Sequence, residues 1–432
     1  MIRKLLNISL LLLTLALVVG LLTGAGCDEK TKEPIEDKRP VAGEASPGDA
    51  PTDRVGALAE ANRAFSLDLY RELGGEPGNL FLSPYSVFAA LAMTLAGARE
   101  ETAVQLAESL RLDSPLPWIH NAFGALDRTL GERTSLPEGY EGEGFDLHVV
   151  NALWSQIGYT LLDAFVETVA EAYAAELQRL DFRSAPEKAR DTINNWVSEQ
   201  TANKIENLIP AGVLDTETRL VLTNAIYFNA PWLHPFDPKQ TRTEAFTRLD
   251  GEAIDVDMMH ETETIPYAVW DDGVAFELPY NGNELSMIVF VPDDGAFADF
   301  DTSLSSERFN AIIGSFQPKR ISLGFPRFEF EYTVSLVPAL QRLGITDAFD
   351  ADRADFSGIT GARDLMISDV LHKAFVSVDE AGTEAAAATA VAFRTTAMPV
   401  EPLELTVDRP FVFVLRDRPT GSILFVGRVL EP

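Results

Sequence analysis

Asp379 to Met398 reads D-E-A-G-T-E-A-A-A-A-T-A-V-A-F-R-T-T-A-M, and two incompatible structures compete for it. The alanine-rich first half has high helix propensity. Gly382 and Thr383 interrupt that run near its start, and Val391, Phe393, Thr395 and Thr396 are aromatic or β-branched, which favours strand. Read with period two, one parity holds Thr383, Ala385, Ala387, Thr389, Val391 and Phe393. The other holds Glu384, Ala386, Ala388, Ala390, Ala392 and Arg394. The first set is small or apolar throughout; the second begins and ends with a charge. The pattern predicts a strand with two unlike faces, the early positions of one nearly empty of side chain.

Outward from this stretch, Leu58 to Leu73 has the spacing of an amphipathic helix stopped by Gly74-Gly75. Ser83-Pro84 opens a second helix, with Pro84 in the first turn where its missing N–H costs nothing. Thr160 to Leu177 reads as helix with Leu162, Phe165, Val169 and Tyr173 along one stripe, and Asp191 to Thr201 as a shorter one. Then the period changes. Arg219–Phe228, Ala268–Tyr280, Leu285–Pro292 and Arg320–Tyr332 read as strands, and Phe411–Val429 as a hairpin turned at Pro419-Thr420-Gly421. Helices dominate the first half and strands the second, which predicts an α+β fold. The 432 residues would accommodate two or three average domains. With no internal repeat and no second linker, one domain over 56–432 is the economical reading.

The formal charge of −31 excludes a partner held through a nucleic-acid backbone, which needs clustered Lys and Arg; nor does it favour a heparin-like polyanion. At the N-terminus, Arg3 and Lys4 precede a long apolar run that ends at T-G-A-G-C, Thr23 to Cys27. That is the layout of an export signal, and its end resembles a bacterial lipobox. Residues 1–26 then form a lipoprotein signal peptide, and Cys27, the only cysteine, is the lipidated residue. A free buried cysteine and an uncleaved membrane anchor are the competing readings. Residues 27–55, polar and rich in Pro, Glu, Lys and Asp, read as a disordered tether. The chain is expected to be exported and held at a bacterial envelope, with no disulfide within it. Asp28 resembles a signal for retention at the inner membrane, and the leaflet stays open.

Catalytic signatures are missing. There is no G-x-S-x-G elbow, no H-E-x-x-H, no C-x-x-C and no P-loop or dinucleotide glycine pattern. The five histidines, His120, His148, His234, His260 and His372, are scattered, and each reads as structural rather than as a metal ligand. The chain is therefore expected to be no enzyme and to need neither cofactor nor metal.

Several stretches resemble the serpins, in that family's order along the chain. N-L-F-L-S-P-Y-S-V-F-A-A-L-A-M-T-L-A-G-A-R-E-E-T is similar to the family's early helix with its clustered serines, and V-L-T-N-A-I-Y-F-N-A-P-W-L-H-P-F to the strand beside the site of loop insertion. I-S-D-V-L-H-K-A-F-V-S-V-D-E-A-G-T-E-A resembles the strand that leads into the reactive loop, and the Phe411–Val429 hairpin the closing strands. The resemblance covers Leu58 to Pro432. It implies helices packed on a large, mostly antiparallel central sheet with two smaller sheets, and an exposed reactive loop at about 380–402. In that family the loop is bait: a target serine protease cuts it, and the loop then enters the large sheet as an extra strand with the acylated protease attached.

That answers the puzzle of the empty face. A strand entering between two others must pass a packed core without overfilling it, and overpacking costs about 1–3 kcal/mol per position. Thr383, Ala385 and Ala387 are small enough, and Gly382 gives the hinge a backbone free of Cβ restriction. The hinge comprises Glu380, Gly382, Thr383, Glu384, Ala385, Ala386, Ala387 and Ala388. About fifteen inserted residues at roughly 3.3 Å each would carry the protease some 50 Å.

Serpin loops place the bait bond about sixteen residues after the hinge glutamate, here Glu380, so the resemblance implies Thr396–Ala397, suited to an elastase-like or subtilisin-like protease. Arg394–Thr395 is the alternative and would suit a trypsin-like one. The resemblance also implies that Ser83, Ser86, Asn224 and His372 form the polar cluster that ties the sheet strands together while letting them part. Trp232 would lie where the loop enters, a role compatible with simple core burial. Two departures stand out: Glu100 where many relatives have glycine, and Pro231 inside the strand motif. A monomeric suicide inhibitor is the leading expectation. A non-inhibitory serpin acting as a binding protein would be favoured by proline or bulky residues between Gly382 and Val391, and none is present. A surface-anchored solute-binding protein fits the N-terminus and ignores the loop.

Overall fold

The order of elements follows the change of period. A computed structural model describes residues 52–432 except 113–117, 138, 143, 174–175, 202 and 384–400. Up to residue 200 the elements are α1 (Thr52–Leu73), β1 (Leu80–Leu82), α2 (Pro84–Gly97), α3 (Glu100–Ser109), α4 (Trp118–Glu132), β2 (Asp146–Gln156), α5 (Asp163–Tyr173), β3 (Glu176–Leu180) and α6 (Pro186–Gln200). Strands then take over: β4 (Leu220–Pro231), β5 (Arg242–Thr247), β6 (Ala253–Trp270), β7 (Gly273–Pro279) and β8 (Leu285–Pro292). After α7 (Phe297–Ser303) and α8 (Ser306–Gly314) come β9 (Gln317–Pro326), β10 (Phe328–Ser335), β11 (Leu371–Val378), β12 (Gly382–Thr383), β13 (Leu403–Thr406), β14 (Phe411–Asp417) and β15 (Ile423–Val429). All of them belong to one compact unit, Asp49–Pro432.

Several sequence boundaries move. The first helix begins at Thr52, so residues 52–55 are helical and do not belong to the tether. Asp53 occupies the first turn, where the helix dipole favours an acid, and the Arg54 guanidinium lies 5.7 Å over the Trp118 ring. In α5 the buried stripe is Phe165, Val169 and Tyr173, whereas Leu162 precedes the helix and is exposed. Leu177 belongs to β3, paired in parallel with Leu153. The helix expected from Asp191 starts five residues earlier, where Pro186 opens its first turn. Ala268–Tyr280 is the turn of a hairpin, with Trp270 paired to Gly273, and Arg320–Tyr332 is two strands interrupted at Arg327. Pro326, with no N–H to donate, ends the first of them.

Two sheets result among the described residues. One has six strands in the order β10-β11-β12-β4-β2-β3, antiparallel except for β2 with β3. The other runs β1-β15-β14-β8-β7-β6-β9-β13, with β5 also on β6. The eighteen residues of β6 join what would otherwise be two smaller sheets, pairing with β5 and β9 along one part and β7 along the other.

Between the sheets and the other helices runs α2, in which every residue from Pro84 to Leu95 is buried. A helix apolar on all sides belongs in a core. The closing hairpin β14/β15 is almost wholly buried too, and carries a buried cation. Arg428 donates to the Asp301 carboxylate at 2.5 Å, to the carbonyls of Gly74 and Glu76, and to that of Gly78 at 3.2 Å. Tyr70 donates to the same carboxylate. Burial raises the pKa of Asp301, and the hydrogen bonds from Tyr70 and Arg428 oppose that rise. A charge can stay in a core only when its donors and acceptors are met in this way. The carbonyls of Gly74, Glu76 and Gly78 belong to the segment that follows α1, so the same network fastens that segment to β15.

Glu100, the departure noted at the start of α3, has φ +47°. That is left-handed backbone, which an L-residue with a Cβ occupies at a cost of about 1–2 kcal/mol and glycine occupies freely. Glu100→Gly is therefore expected to stabilise the protein by about 0.5–1 kcal/mol, the relief being reduced by glycine's greater freedom when unfolded. Denaturant unfolding of the two proteins measures it; a loss of stability would mean that the contacts of the glutamate outweigh its backbone strain.

Candidate functional site: the hinge and the seam it enters

Where β11 ends, the chain turns back into the sheet. Val378 pairs with Thr383, and on the far side Gly382 and Thr383 pair with Pro231 and Ala230 of β4. The two residues of β12 thus occupy the seam between β11 and β4 as strand; the rest of the stretch read with period two lies outside the described residues. The turn is held by Asp379: its N–H donates to the Gly382 carbonyl at 2.9 Å, and its Oδ1 accepts from the N–H groups of Ala381 (2.8 Å) and Gly382 (3.2 Å). A short side chain that accepts from its own following backbone is why Asp suits such turns.

Gly382 is needed here for a reason the sequence reading did not identify. Its φ is not positive, so conformational freedom is not the issue. A Cβ at this position would lie 2.1 Å from the Ala230 carbonyl oxygen and 2.7 Å from the Pro231 Cα. Close approach of two backbones excludes a side chain. Pro231, the other departure, sits opposite it; its carbonyl accepts from Asn281 N–H at 2.8 Å.

Trp232 is buried and bonded to the turn that follows β11. Its backbone N–H donates to the Ala381 carbonyl at 2.9 Å, its Nε1–H to the Asp379 carbonyl at 3.0 Å, and its ring stacks on Tyr280 with centroids 4.6 Å apart. Glu380 is held on all sides. Its carbonyl accepts from Phe236 N–H at 2.9 Å, and its carboxylate accepts from the Thr241 hydroxyl at 2.5 Å with Arg327 Nε at 3.5 Å. Thr383 points inward, 2% exposed, with Oγ1 2.7 Å from the Tyr280 hydroxyl. Tyr280, Thr241, Phe236 and Arg327 are hinge partners that sequence reasoning missed. Each comes from a different segment, and none stands in a local pattern that marks it.

Lower in the seam, Ser83 caps α2: its Oγ accepts from Ser86 N–H at 3.2 Å and donates to the Leu424 carbonyl of β15 at 2.7 Å. Its own N–H donates to His372 Nε2 at 3.1 Å. One serine therefore ties α2, β15 and β11 together. Ser86 is fully buried, and its Oγ has no hydrogen-bond partner among the described residues. For Asn224 the backbone alone is described, and it stands opposite Asn151 of β2. The structure thus brings Ser83, Ser86 and His372 together and puts Trp232 with the hinge. Glu384, Ala385, Ala386, Ala387, Ala388, Arg394, Thr395, Thr396, Ala397 and Cys27 lie outside the described residues. No group of side chains suited to hold a metal ion occurs among the described residues.

A family model described as serpin, serine protease inhibitor, matches residues 60–432. An uncharacterized serpin-like protein of Thermococcus kodakarensis is 40% identical over 379 residues, covering 87% of this chain and 86% of its own. The leukocyte elastase inhibitor of Bos taurus is 38% identical over 386 residues, covering 87% of this chain and 99% of its own. The native-state structure of the thermophilic serpin Tengpin superposes with a TM-score of 0.76 at 28% identity, over 87% of this chain and 94% of that one.

His372 lends itself to a direct test. Burial pushes its pKa down from 6.5 to about 4, and Nε2 must stay unprotonated to accept from Ser83. The unfolded chain takes up the proton first. Stability from this group is therefore complete above pH 6.5 and falls as pH drops towards 4, by on the order of 3 kcal/mol. His120, lowered to about 4 by the same cause, contributes with the same sign. His372→Gln, which keeps an acceptor, is expected to lessen the acid loss when unfolding is followed from pH 7 to pH 4. An unchanged pH profile would remove His372 from the account.

Proposed function

Because the chain belongs to the serpin family, we propose that it is a single-use, covalent inhibitor of serine proteases that works by cleavage of its reactive loop and insertion of that loop into the six-stranded sheet. The bait bond is Thr396–Ala397. The protease serine attacks the Thr396 carbonyl, an ester forms, and the chain from Ala397 leaves as a new amine. The loop then zips into the seam from Thr383 downward. Glu384 to Thr396, at roughly 3.3 Å per residue, draw the acyl-enzyme about 40 Å along the sheet. Deacylation fails once the protease's catalytic groups are displaced by about an ångström, so insertion must outrun hydrolysis.

The observation that carries this reading is the hinge itself: Gly382 and Thr383 pair with strands on both sides of the seam, with the small Thr383 inward. The rest of that parity, Ala385, Ala387, Thr389, Val391 and Phe393, continues a face light enough to follow. A small residue before the bond favours an elastase-like or subtilisin-like target. The Bos taurus relative, by name a leukocyte elastase inhibitor, supports that direction. In the same proposal Cys27 carries the lipid that anchors the protein to an envelope, supported by the apolar run and T-G-A-G-C ending ahead of the polar segment.

Mixing the protein with an elastase-like, a subtilisin-like and a trypsin-like protease tests the proposal. We expect an adduct resistant to SDS with one of the first two, and release of a peptide beginning at Ala397. A peptide beginning at Thr395 would move the specificity to arginine. Cleavage with no adduct for any of the three, and no gain of heat stability in the cut chain, would overturn inhibition and leave a binding role.

A further inference from the structure

Within the loop-insertion reading, on which this rests, we propose that the Tyr280 hydroxyl sets the register of the incoming strand by holding Thr383 inward. The need for such a group follows from the sequence of the loop. A slip of one residue exchanges the two faces of a strand. It would turn the Glu384 and Arg394 side chains into the core, where an unpaired charge is not tolerated. Yet the loop offers little to prevent the slip. Every residue presents the same main-chain N–H and C=O to the ladder, and from Ala385 to Ala388 both parities carry the same methyl group. Register must therefore be chosen at the point where insertion starts, and Thr383 is the first inward residue there.

Tyr280 is built to choose it. It is fully buried, follows the end of β7, and forms an isolated β-bridge with Trp232. Its ring lies parallel to Trp232 at 4.6 Å and meets Phe228 edge-on at 5.3 Å, so the hydroxyl cannot wander. At 2.7 Å from that hydroxyl sits Thr383 Oγ1, whose backbone is paired on both sides. Burial raises the phenol's pKa, which keeps it neutral and able to share its proton with a threonine hydroxyl. With the parity shifted by one residue, a glycine or a glutamate would face the phenol instead. Tyr280 is a positioning residue: it acts through Thr383 and touches no reacting atom.

Tyr280→Phe in the full chain removes the hydroxyl and keeps both ring contacts. Two quantities are read: hydrogen exchange of backbone amides over residues 379–383 in the uncut chain, and moles of chain consumed per mole of protease inhibited. Exchange over 379–383 is expected to rise about fivefold, the effect of one lost hydrogen bond, with exchange in α1 unchanged. Consumption should rise about twofold or more as insertion loses time to deacylation. Thr383→Ser, which keeps a hydroxyl, should stay near the unsubstituted chain in both, and Thr383→Val should match or exceed Tyr280→Phe. Combining Tyr280→Phe with Thr383→Val should add little to the valine change alone. Exchange and consumption both unchanged in Tyr280→Phe would overturn the proposal. If the unsubstituted chain forms no adduct with any protease, the inhibitory reading fails on its own, and the exchange result then decides the role of Tyr280 by itself.

Discussion

The arrangement at the top of the seam depends on how closely two backbones approach at Gly382. With a Cβ 2.1 Å from the Ala230 carbonyl, no other residue would let the chain fold back from Val378 and pair with β4. Once that approach is possible, the rest follows in short order. The Asp379 turn closes, Trp232 reaches the Asp379 and Ala381 carbonyls, and Thr383 meets Tyr280.

What lies below it is held by contacts that are numerous and individually modest. Ser83 links α2 to β11 and β15 through three hydrogen bonds, one of them to a histidine that must stay neutral. Across the face of the sheet, α6 and the residues after it pack on β2 through Trp154, Phe182, Ile193 and Val197, with Ile205, Leu208 and Ile209 in the same cluster. That segment is also fastened to β11: Lys373 Nζ donates to the Glu206 carbonyl at 3.0 Å, and Lys204 lies over the Phe375 ring at 5.3 Å. A strand added to the seam would widen it by about 4.8 Å. Polar contacts of this kind are each worth about 1 kcal/mol and can break and re-form, whereas the buried apolar cluster would resist separation as a unit.

Legibility in the sequence tracked the range of the interaction. Pro84 at the first turn of α2 and the closing hairpin are local, and periodicity with turn chemistry was enough to read them. The start of α1 was misplaced because Thr52–Val55 owes its order to Asp53 and to Arg54 over Trp118, 64 residues away in sequence. Leu162 shares the spacing of the stripe Phe165, Val169 and Tyr173 yet precedes α5, because spacing alone does not show where a helix begins. For the candidate site, Trp232, Ser83 and His372 were singled out through resemblance rather than through any local rule. Tyr280, Thr241 and Arg327 carried no signal, since a tyrosine after a strand or an arginine between two strands is unremarkable until the fold sets it against Thr383 or Glu380.

By itself the amino-acid sequence determined the α+β class, the alternation of small and charged residues after Asp379 as a pattern, the absence of catalytic signatures and the membership of a family. Those properties reside in composition, in periodicity and in the order of motifs, all of which exist in one dimension. Tertiary structure alone decided why residue 382 must be glycine, which phenol meets Thr383, and how one serine joins three elements. Each of these is a distance between atoms far apart along the chain, and such distances come into being only when β4, β7, β11 and β15 are packed together.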